Sequence, residues 1–127
     1  MSTYRSKFEG RIAQSLAKRA VPFKYESIKL KFTQPAKERT YTPDFELPNS
    51  GVYVECKGKF TKEDRDKMLW VREKYPDLRL VILFMRARNP IRKGSKTTYA
   101  NWADKHGFDW ADWDTDKIPA RWLKHAN

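Results

Sequence analysis

Thr42-Pro43-Asp44-Phe45-Glu46-Leu47, Pro48-Asn49-Ser50-Gly51 and Val52-Tyr53-Val54-Glu55-Cys56-Lys57 run consecutively, and their reading decides the fold. They read as two strands joined by a turn. Side chains alternate faces along a strand. Val52, Val54 and Cys56 therefore share one face, and Tyr53, Glu55 and Lys57 the other. A hairpin closing over Asn49-Ser50 sets Leu47 opposite Val52, Phe45 opposite Val54 and Asp44 opposite Glu55. Cross-strand partners have Cβ atoms roughly 4.5–5.5 Å apart. One face is thus apolar and packs, while the other gathers Asp44, Glu55 and Lys57. Two carboxylates that close repel unless a cation lies between them, and hard oxygen donors suit Mg²⁺.

Outward from the hairpin, Thr61 is placed to cap a helix over 62–75, with Glu63 and Asp64 in its first turn. Met68, Val71 and Tyr75 form its inner stripe, with Leu69 and Trp70 beside it. Leu78 to Met85 is a nearly continuous apolar run, the pattern of a strand buried on both faces in parallel pairing. Strand, helix and strand make a β-α-β unit. Upstream, Ser6 and Glu9 have capping-box spacing. Phe8, Ile12 and Leu16 give a helix running to about Ala20 its packing face. By spacing alone Glu9 is a helix-capping residue. Phe23 to Phe32 reads as a strand whose alternation slips at Glu26-Ser27, a bulge or a break. The polar stretch 33–40 reads as a hairpin loop or an extended connector. Downstream, a helix over 98–106 stops at Gly107, a short strand covers 108–110, and a short helix closes the chain near 119–123. The sequence is read as one domain, 1–127, of the α/β class.

The chain has 127 residues, is 39% hydrophobic and carries a net charge of +11, with a pI near 9.8. Such a balance points to a polyanionic partner, nucleic acid first. No apolar run of membrane-spanning length occurs, and no secretory signal is read at the start. One cysteine excludes an intrachain disulfide and suits a reducing compartment. His106 and His125 pair with no cysteine, so no zinc site is read. The segment 86–96 holds five cations and no acid: Arg86, Arg88, Arg92, Lys93 and Lys96. With Ser95 they are read as phosphate contacts at the end of the buried strand. Arg5, Lys7, Lys59 and Lys62 are added as further DNA-contacting residues.

The chemistry read from Asp44, Glu55 and Lys57 is phosphodiester hydrolysis. Asp44, Glu55 and the backbone carbonyl of Cys56 would hold Mg²⁺, with Mn²⁺ as a substitute. Lys57 would orient or activate the attacking water and offset developing charge. A third acid, Glu9 or Glu26, would serve a second metal.

Tyr41-Thr42-Pro43-Asp44-Phe45, Leu47-Pro48-Asn49 and Val54-Glu55-Cys56-Lys57-Gly58 resemble the PD-(D/E)xK nuclease motif. More narrowly they resemble phage endonuclease I of the T-seven type, a family of four-way (Holliday) junction resolvases. The likeness extends over Arg5-Ser6, Glu9, Phe23, Tyr25-Glu26, Arg72-Glu73, Lys93-Gly94-Ser95, Thr98-Tyr99, Lys105-His106-Gly107, Ile118-Pro119-Ala120 and Trp122. It implies a restriction-endonuclease-like mixed sheet flanked by helices. It also implies an intertwined, domain-swapped homodimer bridged through 33–40, acting on branched DNA in the host cytoplasm. Each composite active site would then pair Glu9 of one copy, as a catalytic acid and ligand of a second metal, with Asp44, Glu55 and Lys57 of the other. Glu26 stays outside the core set, because Lys24 stands where the resemblance wants the acid. The competing readings are a sequence- or mismatch-directed nuclease of the same superfamily, and a non-catalytic basic DNA-binding module.

Overall fold

In the computed structural model, which describes residues 4–34 and 37–125, the elements follow in this order. They are α1 (Lys7–Lys18), β1 (Lys24–Tyr25), β2 (Leu30–Gln34), β3 (Lys37–Tyr41), β4 (Phe45–Leu47) and β5 (Val52–Lys57). Then come α2 (Lys62–Lys74), β6 (Arg79–Phe84), α3 (Tyr99–Lys105), β7 (Asp109–Asp112) and a closing 3-10 turn at Ala120–Leu123. The decisive hairpin forms in the expected register, Phe45 opposite Val54 and Leu47 opposite Val52. Gly51, at φ 75°, takes the left-handed conformation that lets the turn close.

Five strands make one mixed sheet in the order β1-β4-β5-β6-β7. β4 pairs antiparallel with β1 and β5. β6 pairs parallel with β5 and β7, as its apolar run requires. One face carries Phe45, Leu47, Val52, Val54, Val81 and Leu83 against Phe8, Ile12 and Leu16 of α1 and against Trp122. The other carries Leu80, Ile82 and Phe84 against Met68 and Val71 of α2 and Trp102 of α3. The chain is therefore α/β, a mixed sheet flanked by helices on both faces. The polar face expected on the hairpin is met by α2, whose Asp64 reaches Lys57.

Phe23–Phe32 is not one strand. The chain turns at Glu26, held at φ 48°, and the slip in alternation marks that break. β1 stays in the large sheet, while β2 joins β3 in a separate antiparallel pair. The expected bridge over 33–40 falls partly on residues 35–36, outside the described residues. On either side of them the chain is paired as strands, not left as a loop. This small hairpin leans on α2. Phe32 stacks on Trp70 with ring centroids 6.3 Å apart, and the Tyr75 hydroxyl donates to the Lys31 carbonyl at 2.7 Å.

The helix ends obey local chemistry. Ser6 Oγ accepts from the Glu9 N–H at 3.1 Å. Thr61 and Asp64 complete a reciprocal capping box on α2. Gly107, at φ 74°, ends α3.

Phe45 ties the hairpin to β1 beside it in the sheet. It is fully buried, with the rings of Tyr25 and Phe23 at 5.2 and 5.5 Å. Phe45→Ala is expected to lower the unfolding free energy by roughly 3–5 kcal/mol, read from urea denaturation monitored by circular dichroism.

Candidate active site

The hairpin register determines where the acids go. Asp44 lies just before the paired residues of β4, and its Oδ2 accepts from the Cys56 N–H at 2.8 Å. Glu55, on the face of β5 that meets α2, is only 6% exposed. Its Oε1 accepts from the Tyr41 hydroxyl at 2.6 Å, and its Oε2 pairs with Lys57 Nζ at 3.2 Å. Lys57 Nζ also donates to Asp64 Oδ1 at 3.0 Å. Asp64 Oδ2 meanwhile accepts from the Thr61 N–H. One carboxylate thus caps α2 and fixes the lysine.

Glu9 follows Phe8 on α1, at the edge of its buried stripe, and is itself 8% exposed. Its N–H takes the Ser6 cap, but its carboxylate does not complete a capping box. Glu9 Oε1 accepts instead from the Tyr25 hydroxyl at 2.6 Å. Glu9, Asp44, Glu55 and Lys57 all line one polar cavity of about 390 Å³, together with the backbone-bearing side of Cys56. A single chain assembles all four.

Electrostatics follow from this crowding. The Asp44 carboxyl is pushed up to about 9, first by burial and then by the Glu55 charge, with Glu9 adding to it and the Cys56 N–H opposing. Glu55 is raised by burial, against the pull of Lys57 and Tyr41. Burial alone would lower the Lys57 ammonium, but Glu55 and Asp64 outweigh it and raise its pKa. The lysine therefore stays charged at neutral pH. The Cys56 thiol is buried in the core and raised well above its usual range, so it is no nucleophile.

By donor type the cavity suits a hard cation, with two carboxylates and the adjoining carbonyl of Cys56. Among the described residues no three Asp, Glu, His or Cys side chains already form a metal cage. The fit thus rests on Asp44, Glu55 and that carbonyl.

The proposed DNA contacts are divided by the fold. Arg5 lines the cavity and pairs with Glu26 at 3.0 Å. Lys7 lies instead on the outer side of α1, in a separate groove of about 480 Å³ floored by small residues. Lys59 and Lys62 are exposed just before and at the start of α2, and Lys62 pairs with Asp66. Arg86, Arg88, Arg92, Lys93 and Lys96 are exposed in the loop after β6, and Ser95 is half-buried there. That loop begins at the end of the sheet that bears Lys57, because Lys57 and Phe84 are register partners and the Met85 N–H donates to the Lys57 carbonyl at 2.9 Å. Arg65, buried in α2, braces the loop by donating to the carbonyls of Phe60 and Ile91.

Sequence reasoning missed Tyr41 and Lys67 as cavity residues, and Tyr25 and Asp64 as the partners of Glu9 and Lys57. Tyr41 adjoins the Thr-Pro-Asp run, which is the one local signal. The partners of the others are fixed by packing.

A family model described as phage endonuclease I matches residues 1–127. The chain is 40% identical over 124 residues to Endonuclease I of Escherichia phage T7, covering 98% of this chain and 80% of that one. It is 38% identical over 109 residues to Endodeoxyribonuclease 1 of Enterobacteria phage T3, covering 86% and 71%.

The raised acids set a pH signature for the metal-free protein. A carboxyl whose folded pKa lies above its unfolded one contributes stability below the unfolded value, and loses it as pH rises toward the folded value. For Asp44 the window runs from about pH 4 to about 9. The protein in chelator is therefore expected to weaken steadily over that range. Asp44→Asn should flatten the slope and exceed the parent near pH 8, by on the order of a few kcal/mol, in urea titrations at several pH values.

Proposed function

Because the chain belongs to the phage endonuclease I family, we propose that this deoxyribonuclease resolves four-way and other branched DNA junctions by metal-dependent phosphodiester hydrolysis. The observation that carries the reading is the convergence of Glu9, Asp44, Glu55 and Lys57 in one buried polar cavity. A buried cluster of acids with one fixed cation costs stability, and such cost concentrates where chemistry is done.

Asp44, Glu55 and the Cys56 carbonyl would hold the first divalent cation, Mg²⁺ or Mn²⁺, and Glu9 a second. A cation bound there supplies a Lewis acid for the scissile phosphate and an acidified water. Lys57, held protonated between two carboxylates, acts as a donor. It orients the attacking water and offsets the negative charge that develops on the phosphate. The basic loop at the same sheet end tracks the DNA backbone, and its contacts are to phosphates rather than base edges. This favours recognition of shape over sequence.

The homodimer is part of the proposal. Domain swapping exchanges an identical element between copies. α1 with Glu9 would pass to a partner through the chain around 33–40, making the same contacts that one chain makes here.

With Mg²⁺, the parent is expected to nick a synthetic four-way junction and spare a matched linear duplex, and to do neither in EDTA. Cleavage of the duplex at a fixed sequence with the junction ignored would reject the junction reading. Lys57→Ala should lower the cleavage rate at least about 100-fold while junction binding in gel shift persists. Co-refolded Glu9→Ala and Asp44→Ala chains should regain part of the activity if sites are shared between copies. Folded mixtures that stay inactive would place each site within one chain.

A further inference from the structure

Two acids of the cavity are each gripped by a phenol at the same distance. Tyr25 donates to Glu9 Oε1 at 2.6 Å, and Tyr41 donates to Glu55 Oε1 at 2.6 Å. The two tyrosines bracket one segment, since Tyr25 ends β1 before the β2–β3 hairpin and Tyr41 ends β3. Their rings are fixed independently of the acids. Tyr25 packs against Tyr4 and Phe45 with centroids at 4.7 and 5.2 Å, and Tyr41 is buried in the α2-side core.

We propose that Tyr25 and Tyr41 are positioning residues for the hydrolytic reaction, each locking the rotamer of one acid through a neutral donor. Neutrality is the point. A lysine or arginine in either place would hold the carboxylate but add a further cation to a cluster where Lys57 already pairs with Glu55, cancelling charge on which a bound cation depends. A phenol fixes one oxygen and leaves the carboxylate anionic. Groups behind a metal ligand orient it in this way, and removing one typically costs 10–100-fold in metal affinity or activity. Tyr25 is anchored in turn, because its hydroxyl accepts from the Arg5 N–H at 3.1 Å. The placement of Glu9 therefore depends on the chain just before α1.

The inference rests on the hydrolytic reading of the cavity, and the test separates the two. Tyr41→Phe and Tyr25→Phe keep the packed rings and remove only the donors. Tyr53→Phe is the matched control, since its hydroxyl donates to Glu46 at 3.1 Å, an acid outside the cavity. Junction cleavage under single-turnover conditions, junction affinity, thermal midpoint and calorimetric titration of Mn²⁺ into DNA-free protein would be measured for all four proteins. The expected result is a rate lowered by about 10–100-fold in both cavity variants with junction affinity kept. Mn²⁺ binding should weaken in Tyr41→Phe, and Tyr53→Phe should match the parent. Cavity variants that cut and bind Mn²⁺ like the parent overturn the proposal, as does an equal loss in Tyr53→Phe. If Tyr41→Phe fails to fold, the half-exposed Tyr25 decides through its own variant. A parent that cuts no DNA at all defeats the functional reading, while the Mn²⁺ titration still judges the clamp on Glu55.

Discussion

Carboxylates buried side by side are the constraint around which this molecule is arranged. Taken out of water, each acid loses hydration, and each raises the cost of ionising the next. The fold answers with at least one donor for each acid. The Cys56 N–H serves Asp44, Tyr41 and Lys57 serve Glu55, and Tyr25 serves Glu9. Two of these donors, Tyr25 and Tyr41, stand outside the Pro-Asp and Glu-Cys-Lys runs of the hairpin. The sheet, α1 and the small hairpin are needed together because each supplies a partner that the others lack.

Much of the site was legible because a strand has a period of two. Once Leu47 and Phe45 had to face Val52 and Val54, Asp44 had to fall beside Glu55. The β-α-β unit was legible for a similar reason, since only a strand covered on both faces tolerates the run Leu80 to Phe84. Glu9 was different. Its spacing from Ser6 was equally suited to a cap, and only the tertiary position of Tyr25 shows its carboxylate turned into the cavity. Asp64 was read as a first-turn acid of α2, which it is. That it also grips Lys57 depends on the angle at which α2 crosses β5, a quantity that periodicity does not contain. The break at Glu26 was signalled by the slipped alternation, but the assignment of the two halves to different sheets was not.

Charge is distributed unevenly across this architecture. The acids are enclosed, whereas the cations after β6 stand exposed at the same end of the sheet. An approaching polyanion meets the positive rim first and the carboxylates only after displacement of water. Placing opposite signs at different depths lets the protein attract a phosphate backbone that its own acids would repel. Arg65 supports the arrangement mechanically, being buried on two backbone carbonyls that belong to different segments.

Asp64 spends one oxygen on the α2 cap and the other on Lys57. End turns of helices open with free energies far below that of global unfolding. Fraying of the first turn of α2 would therefore leave the ammonium held by Glu55 alone while the sheet and core stay intact. With the role proposed for Lys57, the second anchor of the ammonium depends on the persistence of one helical turn, not on the melting of the whole domain.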